Sequence, residues 1–493
     1  MNTSDPSDVT LHPNPADAAD AADATKAGIV HIGIGAFHRA HQAVYTDAAM
    51  AAKGGNWGII GVSLRSTDIV DALNAQNGTF TLIERHPDGP KARKITSISH
   101  AIAAARDIAP VLGALADPAI RIVTITVTEK AYGIDRVSGT VQTEHPAVKH
   151  DLANPDTPCG LLGLLVAGLK RRKDAGVRAY TVVSCDNLPS NGRLLRAGVI
   201  DFAKHLDPDL AIWITDNVSF PETMVDRITP AATAATRSDA KHLTGLDDPA
   251  AIETEPFSQW VIEDAFSDGR PAWEEGGAIL VADVEPYERM KLRMLNGSHS
   301  LIAYMGQLGG YRYVRDAMAS DAFSRLVTLH MENAAATMPP LAGIDFSDYG
   351  ADLVARFANR EIAHETNQIA MDGTEKLPQR IFAPACDLPP GSTRLGTFAL
   401  CFAAWLAVMH HRINADKINE IAQQLNDPRA DEIISALGDH QDPAVIYEKL
   451  AHLPGWMPQQ LQDDGVWRSA VIARLSLLMS DGADVAIKRE LAI

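Results

Sequence analysis

Three polar side chains that together could bind an oxygen atom and exchange a proton with it lie in one short segment, at Lys291, Asn296 and His299. They alternate with apolar residues, a pattern that predicts a helix with one apolar side. Asn296 and His299 are three residues apart and share a face, while Lys291, about 1.4 turns before Asn296, lies at the edge of that face. An amine, an amide and an imidazole in an apolar setting can bind an oxygen atom and exchange a proton with it, because such a setting depresses the pKa of lysine. The alternative is a polar helix end whose lysine extends into solvent.

A glycine turn near the start of the chain indicates that a dinucleotide binds. The run from Gly28 to His41 predicts a strand, a turn with Gly33 and Gly35, and a helix. These glycines match the first two of a Gly-x-Gly-x-x-Gly fingerprint, which permit a tight turn and a close approach of pyrophosphate to a helix N-terminus. His38 stands where the third glycine is expected.

The segment after this turn indicates which dinucleotide is used. Residues 56–63 predict a second strand, and the first acidic residue after it is Asp68. An acid in this region binds the ribose hydroxyls of NAD, which NADP cannot offer. Asp68 therefore predicts NAD, although the neighbouring Arg65 leaves NADP open as an alternative.

Both motifs, together with four further stretches, resemble the mannitol dehydrogenase family, the polyol-specific long-chain dehydrogenases and reductases. The matching stretches are residues 33–42, 126–130, 184–188, 224–228, 291–299 and 372–380. They occur in the family's order and span nearly all of the chain after residue 27. The resemblance implies NAD as cofactor, hydride transfer at a secondary alcohol, no metal, and a monomer.

The distribution of apolar runs predicts an α/β fold with a second, helical part. Short apolar runs alternate with helical patterns up to about residue 285, which predicts a Rossmann-type, doubly wound parallel sheet, and the later pattern is mainly helical. We expect a flexible arm over residues 1–27, an NAD-binding domain over 28–285 and a substrate domain over 286–493, with the active site between the last two.

Composition excludes several classes of protein. The 493 residues are 46% hydrophobic and 22% charged, as in soluble globular proteins, and no apolar run is long enough to span a membrane. The polar start lacks a secretory pattern, and four scattered cysteines predict free thiols in the cytoplasm. A formal net charge of −18 argues against a nucleic-acid partner.

The resemblance implies a role for each residue of the catalytic group. Lys291 corresponds to the family's catalytic lysine, which acts as general acid in reduction and general base in oxidation. Asn296 and Asn187 correspond to amides that donate hydrogen bonds to the alkoxide, and His299 to a histidine that orients the substrate. An amide stabilises this charge without competing for the proton.

Cofactor contacts are expected from Gly33, Gly35, Phe37 and Arg39 in the turn, together with Asp68. The resemblance also places Asp226 near the cofactor, although an ion pair with Arg227 is an alternative. His38 and His41 have the i, i+3 spacing of metal ligands, but the resemblance implies that they belong to the phosphate turn.

The choice of substrate depends on cations, because a buried carboxylate must be neutralised. Lys130, Arg293, Lys376 and Arg380 are expected to bind substrate, although Arg293 has the alternative of pairing with an acid elsewhere. Together with the resemblance of the 290–300 segment to the ketouronate-reducing members, these cations favour reduction of D-fructuronate to D-mannonate. Oxidation of mannitol or D-arabinitol is the alternative. A protein that binds NAD as a sensor, without catalysis, is an alternative of another class.

Overall fold

The computed structural model describes residues 26–136, 138–341, 344–413 and 427–492. The chain forms two compact units, which meet in sequence at Glu285 and Pro286. Most of the predicted N-terminal arm, residues 1–25, lies outside the described residues, and Ala27 already belongs to the first strand.

The first unit contains eleven strands and nine helices among its described residues. The strands are β1 (Ala27–Ile32), β2 (Gly58–Ser63), β3 (Phe80–His86), β4 (Gly89–Ile95), β5 (Ile98–Ala103), β6 (Ile122–Ile125), β7 (Thr181–Ser184), β8 (Thr223–Asp226), β9 (Ile252–Thr254), β10 (Gln259–Glu263) and β11 (Ile279–Val281). The helices are α1 (Ala36–Ala40), α2 (Gln42–Lys53), α3 (Asp68–Ala75), α4 (Ala109–Ala116), α5 (Pro146–Ala153), α6 (Leu161–Ala175), α7 (Asn191–Leu206), α8 (Pro208–Asn217) and α9 (Ala234–Thr244), with 3₁₀ turns at Glu129–Ala131 and Trp273–Gly276.

Five of these strands form a parallel sheet in the order β5-β2-β1-β6-β7. The chain builds outward from β1 through β2 to β5 and then returns to place β6 on the other side of β1. The strand order therefore reverses between β1 and β6. In doubly wound folds, ligands bind at such a reversal, beyond the carboxyl ends of the strands. The strands β2, β6 and β7 are buried throughout, as expected when helices cover both faces. The predicted Rossmann-type sheet is confirmed.

Two three-stranded sheets accompany the main one, in the orders β4-β3-β9 and β11-β10-β8. Sequence analysis did not predict them. β3 and β4 form an antiparallel hairpin that closes at Gly89, whose φ is +124°. One face of this hairpin is charged, so its apolar runs are too short to signal a buried strand.

The second unit is helical. Its helices are α10 (Glu285–Met290), α11 (Gly297–Leu308), α12 (Val314–Met318), α13 (Asp321–Ala335), α14 (Phe346–Phe357), α15 (Thr366–Ile369), α16 (Gly373–Leu377), α17 (Ala383–Cys386), α18 (Leu395–Ile413), α19 (Ala430–Leu437), α20 (Pro443–Ala451), α21 (Gln459–Gln462), α22 (Gly465–Asp481) and α23 (Ala483–Glu490). Two single π-helical turns, at Lys291–Asn296 and Pro378–Phe382, interrupt this pattern.

The core of the second unit forms around α18. Every residue of this helix from Leu395 to His410 is buried, and it packs against α11 and α22. A helix that is apolar on all sides needs neighbours on all sides, which a central position provides. Within the described residues, no helix combines the length and the hydropathy needed to cross a membrane.

Candidate active site

The glycine turn joins β1 to α1 and leaves room for a ligand. Gly33 has φ of +103°, and a Cβ there would lie 1.9 Å from the carbonyl oxygen of Thr126. A Cβ on Gly35 would meet nothing closer than the Gly33 oxygen at 3.8 Å, so the protein's own packing does not require this second glycine. Open space against the backbone is what a pyrophosphate group needs. The turn therefore fits a dinucleotide.

His38 stands in the third position of the fingerprint, and its imidazole ring packs α1 against β1. It stacks on His31 of β1 with centroids 3.4 Å apart, and both rings are buried. His31 Nδ1 lies 2.8 Å from Thr124 Oγ1, and its Nε2 lies 2.9 Å from Thr126 Oγ1. Burial lowers the pKa of His31 to about 3 and that of His38 well below its ordinary value, so both rings are neutral. The stacked pair replaces the close contact that a third glycine would allow.

Phe37 and Arg39 support the turn from within the first unit. The buried guanidinium of Arg39 donates hydrogen bonds to the carbonyl oxygens of Gly35, at 3.3 Å, and Ala250. Burial lowers the pKa of Arg39 to about 10. Phe37 stacks on His41 with a centroid distance of 5.0 Å. Within the described residues, the Arg39 guanidinium donates to backbone carbonyl oxygens of the first unit, and its contact with the cofactor stays a prediction.

Three predicted residues follow neighbouring strands of the parallel sheet. Asp68 is exposed at the start of α3, beyond the end of β2. Lys130 is exposed in the 3₁₀ turn after β6, and Asn187 is exposed after β7. Because the strands are parallel, all three residues lie toward the carboxyl edge, where ligands bind in this fold.

Asp226 is the last residue of β8, opposite Gln259 of β10, and it is buried. Its neighbour Arg227 donates a hydrogen bond to Glu84 Oε1 at 2.6 Å and pairs ionically with that residue. Arg227 thus pairs with Glu84, while both the role of Asp226 near the cofactor and its alternative, an ion pair with Arg227 or another cation, stay predictions.

Sequence analysis missed two residues at the carboxyl edge, Tyr132 and Asp186. Tyr132 Oη donates a hydrogen bond to Asp186 Oδ2 at 2.6 Å and lies 2.7 Å from Ser184 Oγ. Burial raises the pKa of Asp186 to about 7. The available signal was an acid placed directly after a buried strand and before Asn187.

In the second unit, the motif from Lys291 to His299 lies on a helix that widens at the motif. α10 ends at Met290, one π-helical turn follows, and α11 begins at Gly297. The predicted helix is observed, but at the motif its turn is wider than the roughly 3.6 residues per turn that the prediction used. Lys291 and Asn296 are five positions apart in sequence, which would place them about 140° apart around an α-helix. The backbone hydrogen bond of a π-helix spans five residues, so the wide turn brings the two side chains closer to one face.

Burial differs between these two residues. Lys291 is 8% exposed, so its ammonium group is largely removed from water, while Asn296 is half-buried. Single π-helical turns occur frequently at functional sites. The arrangement therefore satisfies the first requirement of the predicted chemistry, an amine in a largely dry setting.

His299 follows on α11 in an aromatic pocket. Its ring lies 4.6 Å from that of Phe357 and 5.2 Å from that of His364, measured between centroids. Within the described residues, its buried Nε2 has no hydrogen-bond partner. A buried nitrogen without a partner is costly, so this atom is suited to a ligand.

The electrostatic surroundings of His299 are cationic. Its pKa is lowered well below the ordinary value by burial first, and then by His364, Arg380, Arg356 and Lys291. The imidazole is therefore neutral at neutral pH. Sequence analysis missed Arg356 and His364, since neither stands in a recognisable motif and only tertiary packing brings them to His299.

Arg380 lies on the second π-helical turn, which packs against the first. Its Nη1 donates long hydrogen bonds to the carbonyl oxygen of Asn296, at 3.5 Å, and to Ser300 Oγ, at 3.3 Å. Burial lowers its pKa. These contacts bring a guanidinium group to the segment that carries Asn296 and His299.

Two other predicted cations are already engaged by the protein. Lys376 Nζ donates to the carbonyl oxygen of Met371 at 2.7 Å, and burial lowers its pKa. Arg293 donates to the carbonyl oxygen of Thr337 at 2.8 Å and forms an ion pair with Asp387. The alternative considered for Arg293, an ion pair with an acid, is observed, and its contact with substrate stays a prediction.

A separate group of potential metal ligands, His150, Asp151 and Cys159, has its ligand atoms within 4.8 Å of one another. Asp151 accepts the backbone N–H groups of Cys159 and Gly160, both at 2.8 Å, at the start of α6. His150 Nδ1 lies 2.9 Å from the same carboxylate. The group is satisfied as a helix cap, and we assign no metal to it. All four cysteines of the chain are free, as predicted.

The parallel sheet, its switch point and the glycine turn define a dinucleotide-binding enzyme with a separate helical domain. The family model of the mannitol dehydrogenase Rossmann domain matches residues 27–275, and that of the mannitol dehydrogenase C-terminal domain matches residues 283–452. The chain belongs to the mannitol dehydrogenase family. It is an NAD-dependent oxidoreductase that acts on secondary alcohols and the corresponding ketones.

The relatives of this chain do not share one named substrate. The chain is 44% identical to the D-mannonate oxidoreductase of Escherichia coli (strain K12) over 72% of this chain and 74% of that protein. It is 42% identical to the uncharacterized oxidoreductase YeiQ of the same organism, over 85% and 86% of the two chains. The solved mannitol 2-dehydrogenase of Pseudomonas fluorescens, in ternary complex with NAD and D-mannitol, is 37% identical over 95% of each chain, with a TM-score of 0.79.

Proposed function

We propose that the protein reduces a ketouronate with NADH, and that D-fructuronate to D-mannonate is its preferred reaction. The observation that carries this proposal is the set of cations around His299, namely Lys291, Arg356 and Arg380. A substrate carboxylate that enters a partly desolvated pocket needs such neutralisation. The 44% identity to a D-mannonate oxidoreductase supports the same assignment.

The first unit binds the cofactor in this proposal. Gly33 and Gly35 admit the pyrophosphate, and Asp68 binds the adenosine ribose hydroxyls, which selects NAD over NADP. Asp226 completes the contacts to the cofactor. The bound cofactor supplies or accepts a hydride at its nicotinamide ring.

Lys291 carries the proton transfer. In reduction it donates a proton to the carbonyl oxygen of the substrate, and in oxidation it removes the proton of the hydroxyl group. Asn296 and Asn187 donate N–H groups to the same oxygen as negative charge develops on it. Both amides stay neutral, so the proton equilibrium involves Lys291 alone.

His299 and the remaining cations orient the substrate. A neutral imidazole with a free Nε2 can hydrogen-bond a hydroxyl group next to the reacting carbon. Arg380 pairs with the carboxylate, because a guanidinium matches the two carboxylate oxygens with two parallel N–H groups. Lys376 and Lys130 contribute positive charge at longer range.

A second candidate is oxidation of mannitol or D-arabinitol. Two observations favour it: the 37% identity to a mannitol 2-dehydrogenase over 95% of the chain, and the engagement of Arg293 by Asp387. The second observation removes one of the cations on which the ketouronate assignment depended. A sensor without catalysis is disfavoured, since binding NAD requires none of Lys291, Asn296 and His299.

The test is a comparison of kcat/KM for D-fructuronate and D-fructose, each with NADH, in the wild-type protein. We expect the larger value for D-fructuronate. A larger value for D-fructose would transfer the assignment to the polyol branch, and no turnover across a panel of ketoses and ketouronates would support the sensor. We also propose that the protein is a cytoplasmic monomer, and light scattering of the purified chain tests the oligomeric state.

A further inference from the structure

The loop that carries Asn187 is held in place by hydrogen bonds between side chains to which the proposed reaction assigns no role. Asp186 follows β7 and precedes Asn187. Tyr132 follows β6, which is the neighbour of β7 in the sheet. Tyr132 Oη donates to Asp186 Oδ2 at 2.6 Å, and the backbone N–H of Val127 donates to the same oxygen at 3.1 Å. One carboxyl group therefore ties together the segments that leave two adjacent strands.

The backbone of Asp186 fixes Asn187 as well. Its carbonyl oxygen accepts the N–H of Leu188 at 2.8 Å, which closes a three-residue γ-turn with Asn187 at its centre. Asn191 Nδ2 donates to the same carbonyl at 3.1 Å. The backbone conformation at Asn187 thus depends on where Asp186 is held.

We propose that the Tyr132–Asp186 pair is a proton-linked positioning device for Asn187, and that its ionised form holds Asn187 ready to donate its hydrogen bond. This inference rests on the proposed function, because the role of Asn187 belongs to it. Asp186 acts through Asn187 and does not itself contact the reacting atoms.

The charge state of this pair changes near neutrality. Burial raises the pKa of Asp186 to about 7, while the hydrogen bonds from Tyr132 and Val127 oppose this rise because they favour the carboxylate. The titratable groups that face it are Tyr132 and Cys185, and both are neutral because burial raises their pKa well above the ordinary values. From α7, the facing group is the uncharged amide of Asn191.

The strength of the hydrogen bonds that Asp186 accepts depends on whether its carboxyl group is protonated. Hydrogen bonds to a charged carboxylate are about twice as strong as those between neutral groups. Above neutral pH the ionised carboxylate holds both donors firmly, and below it the protonated acid holds them weakly. The wild-type kcat for ketouronate reduction should therefore fall on the acid side with an apparent pKa near 7.

Two substitutions separate this device from a merely structural contact. Asp186→Asn keeps the shape but cannot ionise, so the acid limb of the kcat profile should disappear and kcat should fall about 10- to 100-fold with little change in KM. Tyr132→Phe removes a bond that favours the carboxylate, so the limb should move to higher pH. Asp186→Glu, which restores the charge, should restore the limb.

Tyr180→Phe is the matched control. It deletes another buried phenol, which donates to the Leu165 carbonyl oxygen at 2.9 Å and does not touch Asp186. Its pH profile should match that of the wild type. Acid limbs in Asp186→Asn and Tyr132→Phe that coincide with the wild-type limb would overturn the proposal.

A measurement on the cofactor-free protein separates this inference from the proposed function. The folded-state pKa of Asp186 lies above its ordinary value of 3.8, so stability from this group is present at low pH and is lost as the pH rises toward 7. The urea midpoint of the wild type should therefore fall relative to that of Asp186→Asn over this range. If the difference between the two urea midpoints stays constant with pH, the inference is wrong, even if the enzyme is active. If the difference changes with pH but the enzyme does not reduce ketouronates, only the proposed substrate is wrong.

Discussion

Arg380→Ala tests the proposed substrate most directly, because it removes one cation near His299 and leaves Lys291 and Asn296 in place. Among the residues that the structure describes, the side chain makes two hydrogen bonds, both long, at 3.5 and 3.3 Å to Asn296 and Ser300. A neutral hydrogen bond contributes about 1 kcal/mol, and these long ones less. The loss in kcat/KM for D-fructose, which has no carboxylate, should therefore stay within about fivefold.

The loss for D-fructuronate should be much larger. Truncating one partner of a buried, hydrogen-bonded charge pair costs about 2–5 kcal/mol, and about 3 kcal/mol corresponds to a loss on the order of 100-fold. Arg380→Lys keeps the charge but not the two-pronged geometry, so it should recover part of this loss. The assay is the initial rate of NADH oxidation with each substrate, reported as kcat/KM.

Arg468→Ala serves as control for the loss of an arginine from the second unit. This residue forms an exposed ion pair with Glu448, and exposed pairs contribute little to stability. Its kinetics should equal those of the wild type for both substrates. Equal losses for D-fructuronate and D-fructose in Arg380→Ala, with an unchanged melting temperature, would refute the pairing of Arg380 with a carboxylate.

Four further predictions concern other parts of the molecule. Lys291→Ala should abolish turnover while NADH binding, followed by fluorescence titration, stays largely intact; an undiminished kcat would exclude Lys291 from the proton transfer. Gly35→Ala should weaken NADH binding in a folded protein, whereas Gly33→Ala should also lower the melting temperature, because its Cβ would lie 1.9 Å from a carbonyl oxygen at φ of +103°. Asp68→Ala should raise the Kd for NADH more than that for NADPH, and equal changes would contradict the ribose contact. The pKa of His330 is lowered to about 3 by burial, so the stability of its neutral form is lost as the pH falls from 6.5 toward 3; His330→Leu should flatten the fall in urea midpoint over this range, and an unchanged slope would contradict it.

The parallel sheet was predictable from sequence because its strands carry continuous apolar runs. The segment around Val123 and that around Val182 are buried on both faces, so their composition alone signals the strand. The β3–β4 hairpin was missed because one of its faces is exposed and charged. The same limit applies to short strands such as β9, whose three residues give too little pattern.

The candidate site was predictable only where it follows a motif. Lys291, Asn296 and His299 form a motif with a fixed spacing. The π-helical turn that carries Lys291 and Asn296 could not be predicted, because residue propensities do not distinguish it from an α-helix. Arg356 and His364 reach the site through tertiary packing, which no local pattern records. Arg39 and Arg293 show the converse. Both stand inside motifs, but tertiary packing gives each of them a partner distant in sequence, the carbonyl oxygen of Ala250 and the carboxylate of Asp387.

The wide turn at Lys291–Asn296 lets a lysine and an asparagine five positions apart share one face of a helix. Deleting one of the four residues between them would leave a spacing that an ordinary α-helix accommodates, with the two side chains still on one face. His299 would stay on that face as well, because its spacing of three residues from Asn296 would not change. A homologue with one residue fewer in this segment should therefore have an ordinary α-helix here and keep the arrangement of all three side chains.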